Sequence, residues 1–195
     1  NVDMVGTGVD VPMLPAAQAV YDKRKAALGR EDPEARCLPP GVPRMSTTPY
    51  PWTIIQQPQL ITIVYEGGAH IWRKIFMDGR PHDPCVEDSW LGDSIGHWEG
   101  DTLVVESEGY NERFWMHRGG LPHSDALHLT ERFSPPDFDT LKYEVTINDP
   151  KVYTKPWTGG FNVPWTYTNW DGSPGGEITE YFCQDYERDV QSFDE

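Results

Sequence analysis

Strict alternation of apolar and polar residues over positions 141–148 is the feature that most constrains what this chain can fold into. Every second position of that stretch is apolar: Leu141, Tyr143, Val145 and Ile147. Because successive side chains of a strand point to opposite faces, this period predicts an antiparallel strand with one buried and one solvated face. Other short apolar runs recur between turns rich in Gly and Pro, of which the sequence has 18 each. We therefore expect many short strands and no helical bundle.

The predicted elements follow one another without alternation of helices and strands. Strands are predicted at 52–56, 60–66, 70–77, 102–107, 127–133, 141–148 and 177–183, with one more inside 154–176. One helix is predicted at 15–29, where Pro15 suits the first turn and Gly29 ends it. Residues 1–14 are predicted to form a flexible arm, 15–190 a single domain and 191–195 an acidic tail. The order favours an all-β, mainly antiparallel fold: a barrel-like (calycin- or lipocalin-like) or sandwich domain with one N-terminal helix and an extended arm.

The charge of the chain restricts its partners. With 31 acidic and 16 basic residues, the formal net charge is −15. A protein that binds nucleic acid needs a basic surface to neutralise phosphates, and this composition predicts none. No apolar stretch approaches the ~20 residues of a transmembrane helix, so membrane insertion is not expected. The favoured partner is a neutral or cationic small molecule, and association between copies of the chain (a homo-oligomer) is left open.

The three cysteines are Cys37, Cys85 and Cys183. Cys37 lies in a Pro-rich loop, and Cys183 ends the last predicted strand. A disulfide between these two would close almost the whole domain, contribute ~4–5 kcal/mol and fit an exported protein. The alternative is two buried free thiols. No cysteine spacing matches a zinc site.

Six motifs carry a resemblance to other proteins. They are Cys-Leu-Pro-Pro-Gly-Val-Pro-Arg (37–44), Tyr-Pro-Trp (50–52), Ile-Phe-Met-Asp-Gly-Arg-Pro-His (75–82), Gly-His-Trp-Glu-Gly-Asp-Thr-Leu-Val-Val (96–105), Leu-Pro-His-Ser-Asp-Ala-Leu-His (121–128) and Asp-Pro-Lys-Val-Tyr-Thr-Lys-Pro-Trp-Thr (149–158). Over roughly residues 15–190 the chain resembles a large family of uncharacterised exported bacterial proteins. The resemblance implies a periplasmic or secreted, β-rich single domain. It assigns no catalytic residue, and a Gly- and Trp-rich stretch at 159–176 departs from the family pattern.

The densest group of ionisable residues lies at positions 123–131. His123 and Asp125 precede a predicted strand that carries His128 and Glu131. An imidazole held by a carboxylate is a common general base, so we predict His128 or His123 as acid or base and Asp125 as the residue that orients it. Glu131 is a further catalytic candidate, although on a strand it points away from His128. The alternative is a set of polar groups that ties down the loop.

A second group of candidates flanks the Gly-Gly turn at 67–68. Tyr65 is expected to be buried, and its hydroxyl then needs a partner, which is either structural or a substrate oxygen that it polarises. Glu66 and His70 are predicted to bind substrate at the same turn.

Aromatic residues at 157–170 form a third group. Trp157, Trp165 and Tyr167 are predicted either to stack against an aromatic or sugar-like substrate or to interlock the core. The sequence alone leaves both alternatives open.

These residues together favour an enzyme that uses acid–base catalysis in a pocket of the β-barrel. Its expected substrate is small, largely uncharged and aromatic or sugar-like, and its expected class is lyase, isomerase or hydrolase. No nucleotide-binding glycine motif is present, so no organic cofactor is predicted. The alternatives are a non-catalytic exported ligand-binding protein and a mononuclear metal enzyme with histidine ligands, although no histidine pair has a diagnostic metal spacing. Residues 92–96 match Gly-x-Ser-x-Gly, but a turn into a strand follows them instead of a helix, which argues against a serine hydrolase.

Overall fold

The computed structural model describes residues 10–48, 50–85, 87–164 and 178–183. The helical segments are α1 (Pro15–Ala26), α2 (Gly67–His70) and two 3-10 turns, Pro33–Arg36 and Arg44–Thr47. The strands in this part of the chain are β1 (Trp52–Gln57), β2 (Leu60–Tyr65), β3 (Trp72–Phe76), β4 (Asp93–Glu99), β5 (Thr102–Glu108), β6 (His128–Asp137), β7 (Thr140–Asn148) and β8 (Trp157–Pro164).

All eight strands form one sheet, and their spatial order is their order in the chain. Each strand pairs antiparallel with the next, except that β3 and β4 run parallel. The sheet curls into a half-barrel, in which the described residues of β1 and β8 are not hydrogen-bonded to each other. The predicted all-β, mainly antiparallel, barrel-like fold is therefore confirmed, and of the two predicted alternatives the single curled sheet is the one that forms.

Strand β7 shows how the sequence period builds this sheet. Its four alternate apolar residues are buried on the inner face of the curl, as predicted. Val145 lies opposite Glu131 of β6 and Gly159 of β8, so these three residues share that face. Gly160 permits the close approach of β8, because a Cβ atom at this position would lie 2.4 Å from the carbonyl oxygen of Tyr143.

The hydrophobic core lies between the inner face of the sheet and the segments that cross it. The sheet contributes the buried, alternating residues of β2, β5, β6 and β7. The crossing segments contribute a second set to the same cluster: Val42, Met45, Tyr110, Phe114, Met116 and Leu121. Burial of apolar surface of this kind is the main source of folding free energy. The side chains of this cluster fill the interior of the half-barrel.

The N-terminal helix and arm pack outside the sheet. Pro15 opens α1, which ends at Ala26, three residues before the predicted end at Gly29. The Arg24 guanidinium lies 5.0 Å from the ring centroid of Trp115 and anchors the helix. Part of the predicted arm is docked, because Met13 forms a β-bridge with Tyr153. Residues 1–9 of the arm and the predicted tail at 191–195 lie outside the described residues.

Three local predictions are wrong. Strand β4 forms where a turn was expected, because residues 93–99, Gly96 included, pair with β5 and the turn is confined to Gly100 and Asp101. The strand predicted at 70–77 begins at Trp72, because residues 67–70 form a helical turn and His70 has a φ of 55°. Residues 178–183 were predicted as part of the last strand, but they are not in a strand.

The predicted disulfide between Cys37 and Cys183 is present. The two Cα atoms are 5.6 Å apart, and the bond joins positions 146 residues apart. It fixes the segment at 178–183 against the loop after α1. Cys85 is a free, exposed cysteine. Among the described residues no helix is long and apolar enough to cross a membrane.

Candidate functional site

Strands β3 and β4 form the shortest pairing in the sheet, and we call their junction the seam. These strands share a single register position, Phe76 opposite Ile95, whereas every other neighbouring pair is joined along most of its length. The strands therefore separate on both sides of this position, and an opening forms on each side. We call the opening beside their N-terminal ends the cleft and the opening beside their C-terminal ends the groove.

The cleft has a volume of about 210 Å³. It is lined by Trp72, Arg73, Lys74 and Phe76 from β3 and by Leu91, Gly92, Asp93 and Ser94 around the start of β4. The Lys74 ammonium lies 4.8 Å from the ring centroid of Trp72. Ligand pockets for drug-sized molecules are typically ~300–1,000 Å³, so this cleft suits a smaller molecule. Its lining combines aromatic walls with two cationic residues, Arg73 and Lys74, and one carboxylate.

Asp93, which lines the cleft, is paired with a histidine from the loop between β3 and β4. His82 Nδ1 lies 2.7 Å from Asp93 Oδ2, and the side chains are 19% and 12% exposed. Because an ionised carboxylate only accepts hydrogen bonds, Nδ1 donates its proton and Nε2 carries the lone pair of the neutral ring. Among the described residues Nε2 has no hydrogen-bond partner. This arrangement can remove a proton from a bound molecule and return it.

The loop that connects β3 to β4 places His82 beside Asp93. A parallel connection cannot be a tight turn, and residues 77–92 cross from the end of one strand to the start of the other. Arg80 fixes the beginning of this loop, because it donates hydrogen bonds to the Asp78 carboxylate and its guanidinium lies 4.0 Å from the ring centroid of Phe76. Hydrogen bonding from Arg80 lowers the pKa of Asp78.

The groove is the larger opening, with a volume of about 590 Å³. It is lined by Gln56, Gln57, Pro58, Met77, Gly79, Gly96, His97 and Trp98. Gly96 allows the two strands to approach at its base, because a Cβ atom there would lie 2.8 Å from Met77 Sδ and 2.8 Å from Ile75 Cγ2. His97 is exposed, and its Nε2 lies 3.3 Å from Glu99 Oε1.

A buried charged network crosses the seam beside the cleft. Arg73 is 1% exposed, and its Nε donates to Ser94 Oγ at 3.0 Å on β4. Its Nη2 donates to Ser107 Oγ at 3.1 Å on β5. The guanidinium also binds both carboxylate oxygens of Glu131 on β6, at 3.0 and 2.5 Å. These side-chain hydrogen bonds therefore join β3 to β4, β5 and β6. They supplement the backbone pairing between β3 and β4, which is limited to one position.

The electrostatics of this network keep Arg73 charged. Burial by itself lowers the pKa of Arg73, but the neighbouring Glu131 carboxylate more than offsets this, so the pKa lies above its ordinary value. Tyr143 donates its hydroxyl proton to Glu131 Oε1 at 2.8 Å. Burial, and secondly the charge of Glu131, raise the pKa of Tyr143 well above its ordinary value. The tyrosine is therefore a neutral donor at physiological pH.

The structure brings two of the predicted catalytic residues, Tyr65 and Glu131, to this network. Tyr65 is fully buried, and its hydroxyl lies 3.5 Å from Ser46 Oγ. Burial raises the pKa of Tyr65, and the guanidinium of Arg73 is close enough to oppose that rise. Both residues are therefore part of the packed interior, where the described residues leave no opening around them.

The other predicted catalytic residues are separated from one another. His128 is 56% exposed on the outer face of the sheet, with Nδ1 3.0 Å from Glu108 Oε2. Asp125 is exposed and accepts a hydrogen bond from Lys151 at 2.5 Å, so it orients neither histidine. His123 is buried with its ring centroid 4.0 Å from that of Phe114. The predicted pairing of a histidine with Asp125 is therefore wrong, because strand direction and loop packing point these side chains to different surfaces.

The predicted substrate-binding residues Glu66 and His70 contact the chain itself. Glu66 Oε2 accepts a hydrogen bond from the backbone N–H of Thr179 at 2.8 Å. His70 Nε2 lies 2.9 Å from the carbonyl oxygen of Thr179 and 3.2 Å from the backbone nitrogen of Tyr181. These two side chains therefore hold the segment at 178–183, which the disulfide also anchors.

Of the aromatic candidates, Trp157 is a core residue. It is buried, and its ring centroid lies 5.6 Å from that of Tyr153. Trp157 therefore interlocks the core and does not stack against a substrate. Trp165 and Tyr167 lie outside the described residues.

Sequence reasoning missed His82, Asp93 and Arg73. The loop at 78–93 is as rich in ionisable residues as the stretch at 123–131, and this density was the available signal. Nothing local shows that His82 meets Asp93, since the contact depends on the path of the loop. Arg73 was hidden because a charged residue in a strand is ordinarily expected to face solvent.

No group of three or more His, Cys, Asp or Glu residues within 10–48, 50–85, 87–164 and 178–183 is arranged to hold a metal ion. Comparisons of the chain with protein-family models, with curated proteins and with solved structures found no match. The resemblance to exported bacterial proteins therefore stays a prediction, and the function is inferred from the geometry.

Proposed function

We propose that this protein is an exported enzyme that acts on a small, largely uncharged substrate by acid–base catalysis in the cleft. His82 is the general base and acid, and Asp93 orients it. The observation that carries the proposal is the 2.7 Å contact between His82 Nδ1 and Asp93 Oδ2 beside an opening in the sheet. The reaction class is that of a lyase, isomerase or hydrolase, and we propose that no organic cofactor takes part.

The proposed chemistry begins with proton transfer to His82. Nε2 takes a proton from the substrate, and the electron pair of the broken bond moves toward a substrate oxygen. The ammonium of Lys74 stabilises the negative charge that develops on this oxygen. Asp93 stabilises the imidazolium, which then returns the proton to the product or to a leaving group.

The lining of the cleft supports a small substrate with an apolar part. Trp72 and Phe76 provide aromatic surface, and Lys74 and Asp93 provide one charge of each sign. Arg73 also lines the cleft, but its charge is balanced by Glu131. Because these charges balance, the cleft has no net preference for an anion. The strongly negative chain further disfavours an anionic substrate.

The cysteines support the proposed compartment. A disulfide that closes most of the chain is compatible with an oxidising, extracytoplasmic compartment, and this supports the proposal of a periplasmic or secreted enzyme.

The test uses a model reaction that needs only a positioned base. In the Kemp elimination of 5-nitrobenzisoxazole, a base removes one carbon-bound proton, the N–O bond breaks, and a coloured phenolate forms. We expect the protein to accelerate this reaction above buffer and His82→Gln to lower the protein-catalysed rate by at least ~10², the contribution of one general base. Asp93→Asn is expected to lower the rate as well, because an amide can favour the wrong imidazole tautomer.

A matched variant on the outer face makes the assay discriminating. His128 forms a similar contact with Glu108, at 3.0 Å, but it is 56% exposed and Glu108 lines neither the cleft nor the groove, whereas Asp93 lines the cleft. We expect His128→Gln to leave the rate unchanged. A rate that falls in His128→Gln but not in His82→Gln, or one equal to buffer in every form, would refute the assignment. A non-catalytic binding protein would bind the probe without turnover in any variant.

A further inference from the structure

The geometry points to the groove as a second binding site, and we propose that it takes a neutral sugar ring. The groove lies on the opposite side of the Phe76–Ile95 position from the cleft, so this inference does not rest on the proposed reaction. Its volume of about 590 Å³ falls within the ~300–1,000 Å³ of ordinary small-ligand sites.

The apolar part of the groove is suited to stacking. Trp98 is 47% exposed although it lines a concave surface, and the thioether of Met77 lies at the base of the same groove. An indole ring offers a large, rigid apolar face with a polar N–H at its edge. The C–H face of a pyranose ring packs on such a surface while its hydroxyl groups point outward, and the soft Met77 side chain adapts to its outline.

The polar part of the groove is suited to hydroxyl groups. Gln56 and Gln57 are the last two residues of β1, and both line the groove. Each amide has both donors and an acceptor, as a sugar hydroxyl does. Among the described residues these two amides have no hydrogen-bond partner, so both are available to a ligand.

The groove offers no charged side chain that could pair with a charged ligand, and this favours a neutral one. None of the lining residues is an acid, a lysine or an arginine. His97 is the one titratable group in the lining, and it is engaged by Glu99, which also accepts a hydrogen bond from Arg132 at 2.7 Å. A charged ligand would therefore gain no ion pair here, whereas a neutral polyhydroxylated ring matches the amides and the indole.

The experiment measures binding of two neutral trisaccharides, cellotriose and maltotriose, by tryptophan fluorescence and by NMR of the indole N–H groups. We expect saturable binding of at least one of them at or below ~10 mM. Trp98→Ala should weaken this binding about tenfold or more, the size expected for loss of one stacking contact. Replacing Gln56 and Gln57 together by Ala should weaken it several-fold through lost hydrogen bonds.

The matched control is Trp72→Ala, which removes an equally exposed indole on the other side of the seam and should leave the trisaccharide affinity unchanged. Circular dichroism and the unfolding midpoint confirm that each variant is folded. The inference is overturned if neither trisaccharide saturates the protein, if Trp72→Ala weakens binding as much as Trp98→Ala, or if a charged trimer of galacturonic acid binds equally well with the same dependence on Trp98.

Discussion

Replacing Glu131 by Gln tests whether the buried network holds the β3–β4 seam. The substitution keeps the shape of the side chain and removes its charge. Arg73 then remains 1% exposed without its counter-charge, and one of its two contacts with Glu131, at 3.0 and 2.5 Å, meets an amide NH₂ instead of an oxygen. Tyr143 also competes for the one remaining acceptor.

The expected cost follows from these contacts. Hydrogen bonds to charged groups contribute ~1.5–3 kcal/mol each, and removing one partner of a buried ion pair costs ~3–5 kcal/mol because the other charge stays buried. We therefore expect Glu131→Gln to lower the free energy of unfolding by about 3–5 kcal/mol. For a chain of this length the melting temperature should fall by roughly 2–4 °C per kcal/mol.

Urea unfolding followed by circular dichroism, with the disulfide oxidised, measures this loss. Glu99→Gln is the matched control, because Glu99 pairs with Arg132 at 2.7 Å on the surface, where loss of an ion pair is barely measurable. The double variant Arg73→Met, Glu131→Leu should recover most of the stability, since it leaves no unpaired charge. A loss in Glu131→Gln no greater than that in Glu99→Gln would refute the reasoning.

Three further predictions concern stability. Replacing both cysteines of the disulfide by Ser should lower the free energy of unfolding by about 5 kcal/mol, as chain entropy predicts for a separation of 146 residues; an unchanged urea midpoint would contradict this. Burial lowers the pKa of His123, so on acidification the unfolded chain binds a proton at this residue before the folded chain does. The contribution of His123 to the free energy of unfolding should therefore be constant above the ordinary imidazole pKa of ~6.5 and decline below it. His123→Gln should remove this part of the decline in acid-unfolding curves. Gly41→Ala should cost about 2–5 kcal/mol, because its Cβ would lie 2.2 Å from the Phe114 ring at a φ of 70°. Gly100→Ala, with a φ of 60° and open space around it, should cost much less, and equal losses in thermal melts would contradict the packing argument.

The candidate site was predictable only in part. Tyr65 and Glu131 were predicted as functional residues, and both lie in one network because each occupies an inward position of its strand. Their partner Arg73 was not foreseen, because a charged residue in a strand is ordinarily expected to face solvent. His82 and Asp93 were missed because a loop with no period of its own joins them.

The sequence by itself determined the elements with a strong local period. The alternation at 141–148 is a property of neighbouring residues, so it specified β7, its buried face and the all-β class before any long-range contact was known. Turn residues between short apolar runs determined the antiparallel hairpins in the same way. Only the tertiary structure decided that β3 and β4 meet in parallel at one position, because that contact joins segments separated by the loop at 77–92. Both openings lie beside that single long-range contact. The histidine–carboxylate pair and the buried Arg73 also depend on contacts between distant segments, which no local pattern encodes.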